Sequence, residues 1–347
     1  MKIGFVVNEV VTERAGYSTT HMALAAHKRG HEVYYIEVAD FALDPDEMVH
    51  AHAHKPPARK FRAASSFFKA MQSPESGRER ITVDMLDVLM LRNDPAGMGP
   101  AQSWARTAAM NFGRLALRHG VIVLNDPDGL SHASNKMYLE QFPKSVRPRS
   151  TITRSADDIK AFIRAEGGKI ILKPLAGSGG HNVFLISKDE PNVNQIIEAV
   201  LTDGYALAQE YLPAASKGDV RLFLMNGRIM EHGGKIAAIH RQGSAEEIRS
   251  NLTVGGTLGK VEMNESMREI AEVIRPRLVK DGMFLVGLDV VEDKLMEINV
   301  FSPGGLVGAG RLNSISFVDM VIDALELKVA HLGHDRRRYT NAEIATL

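Results

Sequence analysis

The sequence predicts two successive folding units: a doubly wound α/β domain over residues 1–128 and an α+β domain over residues 129–330, followed by a tail at 331–347. Three observations carry this. In the first third, short apolar runs alternate with helix-period segments, as at the start of a parallel sheet. From Asn135 onward strands come in pairs with helices grouped between them. At 347 residues the chain exceeds a typical single domain and has ample length for a buried core.

Residues 3–7 are a continuous apolar run with β-branched content, residues 21–28 an apolar-periodic helix stopped by Gly30, and residues 32–38 a second strand. Residues 43–80, rich in Pro, Ser, His and charge, show little periodicity and read as a long, partly mobile excursion. Within it His50, His52 and His54 alternate as on one face of a strand. Solvated loop histidines and a metal site both fit them, and no carboxylate pair is evident beside them. Residues 86–91, 103–119 and 121–124 repeat the strand, helix, strand order. In the second unit, strands are expected at 170–173, 183–187, 206–211, 220–225, 229–239, 285–291 and 294–300, with amphipathic helices at 191–201 and 265–280. The tail, with Arg336, Arg337 and Arg338, reads as a solvated end.

The 42 basic and 42 acidic residues cancel, so any anionic ligand is held by local charge and no general attraction to nucleic acid or anionic membrane is implied. Zero cysteines exclude a disulfide scaffold, thiolate zinc sites and a cysteine nucleophile. With no signal-peptide pattern and no transmembrane-length apolar stretch, a soluble cytoplasmic protein is expected.

Three motifs carry chemistry. Lys173 ends an apolar strand and runs into Pro174, Leu175, Ala176, Gly177, Ser178, Gly179 and Gly180, a loop free to bring backbone N–H groups against an anion. Such a loop is a phosphate cradle or a tight hairpin; a buried, unpaired ammonium beside it favours the cradle. In the second motif Glu297 and Asn299 lie two apart, so both leave one sheet face, and Asp289 can join them from the neighbouring strand. These hard oxygen donors suit magnesium when phosphate and water complete its shell; the alternative is a solvent-facing polar stripe. The third is the set Arg221, Arg241 and Arg249, three guanidiniums near strand ends. Each alone fits the surface, and together they can define a pocket for a multiply carboxylated substrate.

In this order the motifs resemble the ATP-grasp superfamily and, most closely, the prokaryotic glutathione synthetases, over nearly the whole chain. The matching stretches include residues 28–37, Arg92-Asn93-Asp94-Pro95, Asn135-Lys136, the Lys173 loop, residues 209–213, Gly218 to Arg221, Arg249 to Asn251, Gly255-Gly256, residues 287–289, and 297–300 followed by Ser302-Pro303. The resemblance implies a pre-ATP-grasp domain, then a two-lobed ATP-grasp domain with a lid lobe near 136–208 and a carboxy-terminal lobe near 209–330. It further implies that Lys136 and Lys173 contact ATP phosphates, that Gly177, Ser178, Gly179 and Gly180 form a mobile lid, and that Glu210, Tyr211 and Leu212 meet adenine, with Asp219 nearby. Asp289, Glu297 and Asn299 would hold Mg2+, or Mn2+ in its place. Arg221, Arg241 and Arg249, with Asn251, Ser302, Pro303, Gly304 and Gly305, would bind substrate and the transferring phosphoryl group.

The implied reaction forms an acyl phosphate from the cysteinyl carboxylate of γ-glutamylcysteine and joins it to glycine. Small-molecule partners and a homo-oligomer are implied. The chain departs from the family pattern at residues 304–312, where four glycines read as a flexible wall of an altered acceptor pocket, and Arg311 could hold an acceptor carboxylate. At Ala96 a second proline is common.

Overall fold

The computed structural model describes residues 1–177, 180, 182–242, 257–335 and 339–347. The first sheet contains β1 (Lys2–Val7), β2 (Glu32–Leu43), β3 (Val49–Lys55), β4 (Gly77–Thr82), β5 (Val88–Leu91) and β6 (Ile122–Leu124), in the order β4-β3-β2-β1-β5-β6. Helices α1 (Ser18–Lys28), α2 (Ala64–Met71), α3 (Ala108–Leu117) and α4 (Pro127–His132) connect and flank it. β1 pairs parallel with both β2 and β5. Its unbroken apolar run follows from burial on both faces: Phe5, Val7 and Met90 enter one core, Val6, Leu89 and Leu91 the other. The chain winds outward from β1 to β2 and then returns to β5, so the winding reverses between β1 and β5.

The second sheet is antiparallel, β7-β10-β8-β9, from β7 (Ser150–Thr153), β8 (Ile170–Pro174), β9 (Phe184–Ile186) and β10 (Ala206–Glu210). It packs with α5 (Ala156–Ala165) and α6 (Val193–Thr202) around a separate core that includes Ile159, Ile170, Leu172, Ile197 and Val200. Helix α5 starts where Ser155 accepts from the Asp158 amide, with Asp157 and Asp158 in its first turn and Arg164 in its last.

The third sheet runs β16-β15-β11-β17-β18, from β11 (Asp219–Met225), β15 (Ala238–Gln242), β16 (Thr257–Lys260), β17 (Leu285–Val291) and β18 (Lys294–Asn299). β12 (Arg228–Ile229) pairs with β11, and β13 (Glu231–His232) with β14 (Lys235–Ile236). Helix α7 (Glu265–Lys280) precedes β17, and α8 (Leu306–Asn313), α9 (Phe317–Asp335) and α10 (Asn341–Ala345) follow β18. α9 returns to the first sheet: Arg29 beyond α1 reaches Asp323 at 2.6 Å and Glu326 at 3.2 Å, and Val321, Ile322 and Leu325 share a core with Phe5 and Met22. Asn125 locks the first and third sheets together, donating to the Leu285 carbonyl at 3.1 Å and accepting from its amide at 2.9 Å. Among the described residues no helix is long and apolar enough to cross a membrane.

Several expectations change. The stretch at 43–80 is ordered as β3, α2 and β4, which widen the first sheet. His50, His52 and His54 do sit on one strand, and a carboxylate pair does accompany His50: Asp44 lies 3.5 Å and Asp46 4.0 Å from its Nε2. Asp44 is already engaged by Arg80 at 2.7 Å. The helix expected at 103–119 divides into a 3-10 segment, Pro100–Arg106, and α3, and the strand expected at 229–239 breaks at the Gly233-Gly234 turn. The flexible wall at 304–312 is largely helix α8. Gly310 is required there because a Cβ would stand 2.6 Å from the Ile315 carbonyl oxygen. The described part of the tail is no frayed end: α10 carries a Thr340–Glu343 capping box and buries Ile344 and Ala345.

Candidate active site

Where the three sheets meet there is an open cleft. Its walls come from Asp94 to Ala96, the segment around Lys136, the end of β8, Leu207 of β10, and Met296 to Ser302. Two lysines enter it. Lys173, 9% exposed, donates to the Gln209 side chain at 3.1 Å; its register partner on β10 is Leu207, which puts Gln209 one diagonal step away. Lys136 donates to the Gly177 carbonyl at 2.6 Å. Burial lowers both ammonium pKa values; for Lys136 the Glu297 charge opposes this, and for Lys173 Glu297 opposes it while Lys136 adds to it. Two desolvated cations facing one cleft gain most from an anion that spans them, as a polyphosphate does.

Across the cleft stands one charged face of the third sheet. Arg221 on β11 lies directly opposite Asp289 on β17, and Asp289 directly opposite Glu297 on β18. Asp219 lies opposite Arg241 on β15. Arg221 grips Asp289 through both Nε and Nη2, the latter at 2.9 Å, and Arg241 reaches Asp289 at 2.9 Å while binding Asp219 through two contacts of 2.7 Å. Burial would raise the Asp289 carboxyl, but the two guanidiniums hold it below the usual carboxylate range. Arg221 also donates to the Gly304 carbonyl at 3.3 Å. Gly287 makes room for this: a Cβ there would lie 2.9 Å from both the Arg221 side chain and Pro303.

A β-bulge decides which way Glu297 points. Near the hairpin turn Val290 pairs with Leu295, and if that register continued Glu297 would sit opposite Leu288, facing the apolar core. The register shifts between Asp289 and Val290, so Glu297 comes opposite Asp289 and Asn299 opposite Gly287. Bulges next to functional sites re-aim side chains in this way. Asn299 turns its Nδ2 to Asp289 at 3.3 Å, which leaves its carbonyl oxygen, with the Glu297 carboxylate, as hard donors on the cleft wall. Those two fit a divalent cation. Asp289 is already surrounded by arginine N–H groups and borders them.

Lys136, Lys173, Gly177, Glu297, Asn299 and Ser302 thus share one cleft, and Arg221, Arg241, Asp219 and Asp289 form the adjoining ion cluster. Pro303 and Gly304 lie against that cluster, and Gly305 begins α8 with φ of +106°. Glu210, Tyr211 and Leu212 continue from β10 away from the cleft lining: Glu210 pairs with Arg149 at 2.6 Å, and the Tyr211 ring lies under Lys169 at 4.1 Å. Ser178, Gly179, Arg249 and Asn251, with Gly255 and Gly256, lie outside the described residues. Arg311 reaches neither the cleft lining nor the ion cluster and faces His21. Residue-type reasoning missed the walls at Leu139, Leu207 and Phe301, apolar side chains that no sequence pattern separates from core.

Comparison with known proteins identifies the family. The family model described as "Prokaryotic glutathione synthetase, N-terminal domain" matches residues 1–131, and "Prokaryotic glutathione synthetase, ATP-grasp domain" matches residues 135–313. Glutathione synthetase from Vibrio parahaemolyticus is 32% identical over 337 residues, covering 95% of this chain and 99% of the relative. That from Gloeobacter violaceus is 34% identical over 339 residues, covering 94% and 96%. Among solved structures, the D-cycloserine synthetase DcsG superposes with a TM-score of 0.60 at 12% identity, over 92% of this chain and 99% of that one. The ATP-grasp ligase PsnB, complexed with its minimal precursor, gives 0.58 at 18%, over 93% and 98%; these two show the fold alone. An amino-terminal α/β domain followed by an ATP-grasp domain, matched over nearly its full length, makes this chain a member of the prokaryotic glutathione synthetase family of ATP-dependent ligases.

Proposed function

We propose that the chain is an ADP-forming carboxylate–amine ligase that joins γ-glutamylcysteine to glycine in the cytoplasm, working as a homo-oligomer on small-molecule substrates alone. The observation that carries this reading is the pair Lys136 and Lys173 facing Glu297 and Asn299 across one cleft, beside a sheet face of buried arginines. In the first step a cysteinyl carboxylate oxygen bonds to the γ-phosphorus of ATP as the β–γ bridging bond breaks, releasing ADP. In the second, the glycine nitrogen attacks the acyl carbon, the acyl C–O bond breaks, phosphate departs with the electron pair, and the amine proton passes to solvent.

Lys136 and Lys173 bind and orient the phosphates, and Arg221 and Arg241, pre-set by Asp289 and Asp219, meet charge that develops at the transferring group. Arg249 and Asn251 are assigned to the same substrate face by family similarity, and Glu210 to Leu212 to adenine. Glu297 and Asn299, with Asp289 behind them, would hold Mg2+, with Mn2+ as a substitute; when bound, the ion supplies charge neutralisation on phosphate oxygens.

A ligase of the same chemistry with another acceptor amine is the second reading, favoured by residues 304–312, which depart from the family pattern and largely form α8. Phosphate release from ATP, magnesium and γ-glutamylcysteine, with a panel of amines and mass identification of products, tests both. Glutathione as the sole product is expected. Another amide product supports the second reading, and no peptide-dependent release with any amine refutes both.

A further inference from the structure

The cleft lysine Lys136 stands on a short 3-10 segment, Lys136–Gln141, that is tied to two different parts of the molecule. Asn135 starts the segment by accepting from the Met137 amide at 2.9 Å. On one side the Lys136 amide donates to the Leu175 carbonyl at 3.2 Å and its Nζ to the Gly177 carbonyl at 2.6 Å, so Lys136 meets the chain where β8 runs into the glycine loop. On the other side Tyr138, 3% exposed, donates its hydroxyl to Asp281 Oδ2 at 2.8 Å. Arg277, one turn earlier on α7, donates Nε to the same oxygen at 2.6 Å, and His132 at the end of α4 lies 3.8 Å from the other. α4 also presses on this point from its backbone, since a Cβ on Gly129 would stand 1.8 Å from the Asp281 carbonyl oxygen. Asp281 is thus fixed by α7 and bordered by α4 where Tyr138 reaches it.

Folding alone has little need of this bond. The Tyr138 ring already packs edge-on against Phe142, with centroids 5.2 Å apart, and the Asp281 carboxylate already has Arg277. What the bond adds is position, because a hydroxyl on a carboxylate is a short, strong and directional contact. Burial, and then the Asp281 charge, raise the phenol pKa, so the hydroxyl stays a donor. Tyr138 and Lys136 lie two residues apart on a helix of three residues per turn, so a slide or rotation at one carries the other. α7 leads into β17, whose partner β18 bears Glu297 and Asn299. The Tyr138–Asp281 bond therefore sets Lys136 relative to the oxygen donors across the cleft.

We propose that Tyr138 is a positioning residue for the nucleotide: its hydroxyl, anchored on the Asp281 carboxylate that Arg277 holds, keeps the Lys136 ammonium in place against the phosphates. This role rests on the reading of Lys136 as a phosphate ligand and deepens it by naming what sets its place. Tyr138 acts through Lys136 alone, so its removal matters only while Lys136 is present.

A double-mutant cycle on the full chain tests this, read by titration calorimetry with a non-hydrolysable ATP analogue and magnesium. Tyr138→Phe keeps the ring and removes only the anchor. It should weaken analogue binding by about fivefold to tenfold on its own, and by less than about twofold in the Lys136→Met background. In turnover the loss should fall on the KM for ATP, with kcat within about twofold of wild type. A bond with a structural role only would lower the melting midpoint and leave both readouts unmoved. If Tyr138→Phe does not fold, Arg277→Gln loosens Asp281 from the partly exposed side of α7 and should weaken the analogue by about threefold, again only with Lys136 present. Equal weakening in both backgrounds, no weakening by the folded variant, or a loss confined to kcat overturns the proposal. A folded Lys136→Met that binds the analogue like wild type refutes the phosphate role of Lys136 and the proposal with it. Weak binding by Lys136→Met beside normal binding by Tyr138→Phe refutes the positioning role alone.

Discussion

Asp289 and Glu297 face each other on one sheet surface, yet their surroundings assign them different work. Asp289 is 4% exposed and is the counter-charge for two buried guanidiniums, whereas Glu297 is half-buried on the cleft wall. Replacing Asp289 by Asn leaves Arg221 without its carboxylate and Arg241 with Asp219 alone, and breaking a buried pair in this way costs about 3–5 kcal/mol. Urea unfolding of Asp289→Asn should show that loss. Glu297→Gln should unfold like wild type but lower ATP-dependent phosphate release by about 100-fold or more, since it removes a hard donor whose work is done on the phosphates. A Glu297→Gln variant as active as wild type at saturating magnesium would remove this residue from the cation site. The motif residues were legible in the sequence because carboxylates and arginines inside apolar strands are costly unless used. That Asp289 answers first to arginine was not, because it depends on which residues three strands place opposite one another.

At the scale of elements, β1, β2, β5 and β17 were readable because a strand buried on both faces writes an unbroken apolar run. The hairpin of β17 and β18 was readable too, but its bulge was not: strict alternation from the buried Leu295 places Glu297 on the same face and hence in the core. A one-residue shift of register reverses that. Helix α8 was hidden by its own composition, since Gly304, Gly305, Gly308 and Gly310 predict flexibility, whereas Gly305, Gly308 and Gly310 serve close packing here. Gly310→Ala should therefore destabilise the chain by about 1–3 kcal/mol, the cost of overpacking, despite the better helix propensity of alanine. Thermal melting checks this, and an unchanged or raised midpoint would contradict the packing at Ile315. The segment at 43–80 failed as a loop prediction because its histidines and charges belong to outer strands with one solvated face, where polarity does not preclude pairing.

Over the whole molecule, the last helices bind the first sheet. Lys328 on α9, 1% exposed, donates to the Asn226 side chain at 3.0 Å and to the Ile344 and Leu347 carbonyls at 2.9 and 3.0 Å. Burial pulls its ammonium down to about 7. The unfolded chain, with an ordinary lysine pKa near 10.4, then holds a proton that the folded chain lacks across that window, so stability rises with pH from about 7 to about 10 and falls as pH drops back. Lys328→Met should flatten this rise in urea titrations at pH 7.5 and 9.5; an equal slope in both proteins would show that another group is responsible. Beyond Lys328, Asn341 of α10 bonds both the amide and the carbonyl of Val123 on β6, at 3.0 and 2.8 Å. Translation runs from the amino terminus, so the first sheet leaves the ribosome long before its own fastener has been made. Until α9 and α10 emerge, the nascent chain displays the apolar side of α1 to solvent, and its earliest domain is the last to be finished.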